Sequence, residues 1–293
     1  MPAFWFHLIA ACSLLFPFAL FGQQTVPYTA VPDGWYLYPE SKLTNPDEAV
    51  RRCFNYSRND WKVTNEGDTV EITKLVRQEG DVPALPPLPS RLKLQDGMPG
   101  RTIGAGLRTA THIGDAWLLA YDAGEWGGGL WLTNEDGSAT KRIVNDNVHA
   151  VVPIGNGILV LSGLAHMSFD FGNALFFLKP EGLNISLWHT VRLDGEARAY
   201  AKESEDSVLF VTTHSLYRTT KSGDLQKLLN FPEWTKYQYA SSMAITSDGS
   251  IFVAMRMFVL RLRASDDGYS REWLLPTECR NFHLDGTACV CTP

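Results

Sequence analysis

Apolar and polar positions fall into a unit that returns four times between Arg101 and Pro276. Each unit reads as a short apolar strand, a tight turn, a second apolar strand, another turn and then more mixed strands. The second strand is the best marked: AWLLAYD at 116–122, GILVLSG at 157–163, SVLFVTT at 207–213 and SIFVAMR at 250–256. These starts lie 41, 50 and 43 residues apart. A period of about 40–50 residues marks one supersecondary element that buries its apolar faces on its neighbours. With the strands of each unit named A to D, the first is predicted at 106–113, 116–122, 128–134 and 138–144. The second takes 149–154, 157–163, 173–179 and 185–193, and the third 197–203, 207–213, 215–221 and 225–230. The fourth takes 240–247, 250–256, 257–263 and 270–275. Gly114-Asp115, Asp136-Gly137, Gly155-Asn156, Glu181-Gly182 and Asp248-Gly249 supply the turns.

The flanks follow other rules. Asn45 as cap, Pro46 at the first helical position and Glu48 predict a helix ending near Tyr56, with Ala49, Val50, Cys53 and Phe54 on one face. A hairpin follows, WKVT at 61–64 and TVEITKL at 69–75, whose alternation has the two-residue period of a half-buried strand. Residues 77–100 hold five prolines, at 83, 86, 87, 89 and 99, and read as a stiff linker. After Pro276 the unit restarts at 279–284 and 287–291 and then stops after two strands. The hairpin at 61–75 is predicted to supply the other two, since a ring closes by pairing its two ends.

Over roughly residues 101–291 this periodicity and turn placement resemble the β-propeller superfamily. The Trp-Asp repeat ending is absent, and Thr133–Ser138 resembles only part of an Asp-box. GEWGGGLW at 124–131 and GLAH at 163–166 are similar to stretches of exported bacterial proteins of unknown activity. The resemblance implies an all-β fold of about five four-stranded blades, within a range of about four to six. A short N-terminal helix and one blade shared between the termini complete that expectation.

Residues 3–21 are almost wholly apolar and precede Gly22-Gln23-Gln24, the pattern of a signal peptide cleaved near Gly22. Residues 1–22 are therefore assigned to the signal, 23–76 to the lead-in, helix and hairpin, 77–100 to the linker and 101–293 to the repeats. The destination is secreted or periplasmic, with no membrane span after cleavage. A retained anchor, or a lipid anchor at Cys12 within Ile9-Ala10-Ala11-Cys12, are the alternatives. Removing the signal leaves Cys53, Cys279, Cys289 and Cys291, an even number that favours disulfides in an exported chain. Their pairing is open, though Cys53 with Cys289 or Cys291 would staple the ring closure. A net charge of −6 without a Lys/Arg cluster excludes a nucleic-acid surface.

The propeller resemblance places the B–C and D–A loops on one face, around the central channel where ligands bind. Those loops carry Asp122, Glu125, Trp126, His149, His166 and Asp170, the candidate ligand-binding residues. His149, His166 and Asp170 together have the donor types for a divalent metal, and imidazole beside carboxylate also suits acid–base work. Against this, Asp and His also tie down loop backbone, and Trp126 can cover the core. His112, His189, His214 and His283 sit in or beside strands and read as structural. Trp234, Tyr237 and Tyr239 form either a stacking surface or a cover for a blade end. Two functions remain: an exported binding or scaffold protein for a small-molecule, glycan or protein ligand, or an extracytoplasmic hydrolase or lyase on the same face. A subunit of an envelope complex is a third. Oligomeric state is not encoded in any of these features.

Overall fold

The computed structural model describes residues 24–27, 30–43, 46, 48–57, 59–66, 69–75, 106–232, 238–286 and 288–292. The expected signal peptide, Cys12, the Asn45 cap, the linker at 77–100, Trp234 and Tyr237 lie outside them. Strand makes up 64% of the described residues against one α-helix, so the chain is all-β.

The N-terminal part contains β1 (Gln24–Pro27), β2 (Trp35–Tyr38), α1 (Glu48–Tyr56), β3 (Asp60–Glu66) and β4 (Thr69–Leu75). Four antiparallel sheets follow, one per repeat. The first is β5 (Gly106–Ile113), β6 (Ala116–Asp122), β7 (Gly128–Asn134) and β8 (Thr140–Val144). The second is β9 (Val148–Ile154), β10 (Gly157–His166), β11 (Phe169–Leu178) and β12 (Leu187–Leu193). The third is β13 (Ala197–Ser204), β14 (Ser207–Thr212), β15 (Ser215–Thr220) and β16 (Leu225–Asn230). The fourth is β17 (Ser242–Ile245), β18 (Ile251–Ala254), β19 (Val259–Ser265) and β20 (Gly268–Pro276), and the chain ends in β21 (Asn281–Asp285) and β22 (Ala288–Thr292).

The B strands explain why these sheets stack as blades. Because side chains alternate, Ile158 and Val160 enter the core shared with blade one, while Leu159 and Leu161 enter the core shared with blade three. Val208 and Phe210 against Leu209 and Val211 repeat the device between blades two and four. Phe252 and Ala254 of blade four face Trp61, Val63, Val70 and Ile72 of a further sheet, ordered β1-β4-β3. Strands apolar on both faces are forced to be buried on both, and burying a Leu or Phe side chain is worth about 1.5–3 kcal/mol. Inner strands β5, β9, β13, β17 and β3 lie in succession, which makes five blades in a propeller.

Closure differs from the expectation in its parts. The hairpin β3–β4 does not join the terminal hairpin β21–β22; the two lie in separate sheets. Trp61, Val63, Val70 and Ile72 bury themselves on blade four instead, so β3–β4 with β1 is a blade in its own right. The sheet that does mix both ends of the chain is blade four, where β2 pairs antiparallel with β20 from Trp35↔Pro276 to Tyr38↔Trp273. An outer edge that would otherwise expose unpaired backbone is thereby covered. The terminal hairpin packs on α1, and Phe282 meets Phe54 and Tyr38. Disulfides Cys53–Cys289 and Cys279–Cys291 fix that packing. Their sequence separations are 236 and 12 residues, so the first closes by far the longer loop in the unfolded chain. The helix itself starts at Glu48 rather than Pro46. Among the described residues no helix is long and apolar enough to cross a membrane.

Candidate functional site

The B–C loops and the D–A loops come together at one mouth of the ring, and their charged groups form a chain across all five blades. His149, at the start of β9, lies between Asp122 at the end of β6 (Nδ1 to Oδ2, 3.4 Å) and Glu196 just before β13 (Nε2 to Oε1, 2.8 Å). Glu196 also pairs with Arg198. Arg198 lies 4.7 Å from the Tyr239 ring centre and Arg256 of blade four lies 4.5 Å from it. Arg256 then pairs with Asp60, which opens β3 (3.4 Å). It also donates to the carbonyl of Asn55 in the last turn of α1, where a cation complements the helix dipole.

His149 is almost fully enclosed. Burial alone would push its pKa down, but hydrogen bonds and charge from Asp122 and Glu196 outweigh burial and raise it from 6.5 to about 9. Both ring nitrogens are occupied, Nε2 also lying 3.0 Å from the Gly163 carbonyl oxygen. It is an imidazolium that joins three blades. Asn147, buried beside it, ties the two loops: its Oδ1 accepts from Ala123 N (3.2 Å) and its Nδ2 donates to Gly124 O (2.7 Å).

The tight turn between β10 and β11 borders an open cleft of about 300 Å³. Its lining includes His166, Met167, Phe169, Asp170, Thr213, His214 and Tyr239. Asp170 is the hub of its floor. It accepts from Thr213 Oγ1 (2.9 and 2.8 Å) and from Glu196 N (2.9 Å), and its Oδ2 makes an ion-pair contact of 2.8 Å with His214 Nε2. His166 Nε2 approaches Glu125 Oε2 at 3.0 Å without the alignment of a hydrogen bond, and both side chains are largely exposed. Around the rim stand Trp126, Met167 and Phe169, exposed by 75%, 92% and 64%. Trp126 therefore leaves the core uncovered and faces solvent. Met167 holds φ 54, a left-handed conformation that sharpens the turn and drives its side chain outward.

The six sequence candidates thus share one face, and five of them fall into ion pairs: Asp122 with His149, Glu125 with His166, and Asp170 with His214, which was not a candidate, while Trp126 stands on the rim. His149, His166 and Asp170 do not form one ligand set, because each is engaged by a different partner. Among the described residues no group of three or more His, Cys, Asp or Glu has a metal-holding arrangement. Glu196, Thr213 and His214 were missed as site residues. His214 lies between β14 and β15, so the loop rule that selected His166 also selects it; reading it as a strand residue hid it.

No protein-family model matches the chain, and no curated protein does. Among solved structures it is similar to a protein of unknown function from Bacteroides caccae, at 12% identity over 62% of this chain and 65% of that one, with a TM-score of 0.39. The chain thus spans just under two thirds of that protein. Virginiamycin B lyase from Staphylococcus aureus is similar at 13% identity over 75% and 71% of the two chains, with a TM-score of 0.38. YCF48 bound to D1 peptide is similar at 11% identity over 90% and 78%, with a TM-score of 0.38. Scores this low say nothing of what this chain binds or converts, and the propeller is read from its own strand order.

Proposed function

We propose that this chain is an exported propeller that binds a ligand in the cleft between blades two and three. The observation that carries the reading is the composition of that cleft. A polar floor of Asp170, Thr213 and His214 lies beneath exposed Met167 and Phe169, with Trp126 on the neighbouring loop. Large apolar side chains turned to water around a concave polar site are the usual make-up of a recognition surface. A volume of about 300 Å³ suits a small amphipathic molecule or one side chain of a partner. Export is supported by the apolar run at 3–21 and by two disulfides, which persist in oxidising compartments.

A ligand-observed NMR screen of amphipathic aromatic compounds and short peptides tests this. Hits should perturb residues 165–170 and 213–214 and be lost in Phe169→Ser, whose melting temperature stays near that of the parent. Hits that persist in Phe169→Ser, or that map to another face, would sink the reading.

A further inference from the structure

We infer that the cleft also hydrolyses small carboxylic esters, with His214 as general base and Asp170 as its positioning residue. This rests on the cleft being the ligand site proposed above. The imidazole has a defined orientation. Its Nε2 lies 2.8 Å from Asp170 Oδ2, and a carboxylate at that distance favours the tautomer with the proton on Nε2. Its Cδ2 edge faces Gly195, where an added Cβ would come within 2.8 Å of it. The opposite edge, bearing Nδ1, is turned away from that packing, and among the described residues Nδ1 has no hydrogen-bond partner. A carboxylate fixing one nitrogen and leaving the other's lone pair available is the arrangement that general-base catalysis requires. Asp170 is engaged by protein groups, since Thr213 Oγ1 and Glu196 N donate to it beside His214. Its part is to hold His214.

His149 makes the contrast. Both its nitrogens are engaged by acceptors, so it has no lone pair to offer. His214 is 29% exposed at the cleft, where water and a ligand can reach it. In the reaction, Nδ1 takes a proton from water as the water oxygen bonds to the ester carbonyl carbon. The tetrahedral adduct then breaks its bond to the alcohol oxygen, and the imidazolium returns the proton to that oxygen. Ester and water become acid and alcohol, and the imidazole is regenerated. Ser168 and Tyr239 bring hydroxyl groups to the same cleft as donors for the carbonyl oxygen while charge builds there. Met167 and Phe169 offer apolar surface to the ester's hydrocarbon.

The test uses the full chain with phenyl acetate as substrate and acetanilide as a stable isostere whose binding is followed by NMR. General-base catalysis contributes about 10²–10⁴-fold, so His214→Ala should lose at least about 100-fold in kcat/KM while still binding acetanilide. Added imidazole should restore part of that rate. Asp170→Asn should lower kcat with KM little changed, and His112→Ala, at an imidazole that pairs with Glu135 outside the cleft, should keep parental activity. A normal solvent deuterium isotope effect on kcat completes the pattern. If acetanilide binds both proteins and hydrolysis is the same in each, the base is wrong and the binding reading survives. If neither protein binds acetanilide nor hydrolyses phenyl acetate above background, the ester proposal falls together with its cleft for this ligand class.

Discussion

His149 and His214 sit on the same face of one ring, each beside a carboxylate, and they differ in everything that decides a role. His149 has an 11% exposed side chain wedged between two carboxylates from neighbouring blades. His214 has one carboxylate on one nitrogen and an open cleft beside it. The first arrangement satisfies the imidazole completely, so the ion cluster joins blades and leaves nothing for a ligand. The second satisfies it halfway. Identical residue types thus divide into a structural clamp and an available group through the number of protein partners alone.

The sharpest way to break that division is to remove the clamp. His149→Ala leaves Asp122 and Glu196 facing each other in a buried site without the cation between them. Removing one partner of a buried ion cluster costs about 3–5 kcal/mol, and urea unfolding should report a loss of that size. A loss under about 1 kcal/mol would mean the cluster is not what joins these blades.

Nearly as large is the effect of pH. An imidazole raised from 6.5 to about 9 stabilises the folded state fully below 6.5, and that contribution disappears as pH rises through about 9. The shift corresponds to a loss on the order of 3 kcal/mol across that window. Unfolding curves at either end should show it, and His149→Ala should flatten the dependence. An unchanged slope in the variant would assign the pH effect to another group.

Gly195 lies where the two regions touch, directly before Glu196. An added Cβ would stand 2.0 Å from Thr213 Oγ1, 2.8 Å from His214 Cδ2 and 3.0 Å from Asp170 Oδ1. Gly195→Ala should therefore cost about 1–3 kcal/mol by overpacking and should also dislodge His214. Chemical-shift changes confined to the His149 side would show that the cleft does not depend on this packing.

What the sequence made legible follows from what is periodic. The B strands announce themselves because both faces are buried, so AWLLAYD, GILVLSG, SVLFVTT and SIFVAMR carry unbroken apolar runs, and tight turns between them fix the A–B register. Ring closure was not legible, because TVEITKL shows that a strand is half-buried without showing against what; its apolar face went to blade four. The loop rule also gathered Asp122, His149, His166 and Asp170 onto one face, where the structure has them. It could not resolve their pairing. Glu196 and Thr213 have no local signature, and their roles arise from contacts 31 and 43 residues away, at Ala165 and Asp170. The single turn holding His214 was too short to stand out between two strands.

The smallest stability effects belong to the cleft, and they are what the comparison most needs. His214 and His166 are 29% and 40% exposed, and each meets one carboxylate that water also reaches. Exposed ion pairs contribute about 0–1 kcal/mol, so His214→Ala and His166→Ala should each unfold within about 1 kcal/mol of the parent. Such silence would be informative, because a group that the fold does not require is free to serve a ligand. If His214→Ala instead cost as much as His149→Ala, Asp170 would depend on the imidazole as Asp122 does. The cleft floor would then be a second clamp, and the search for chemistry would have to leave this face of the ring.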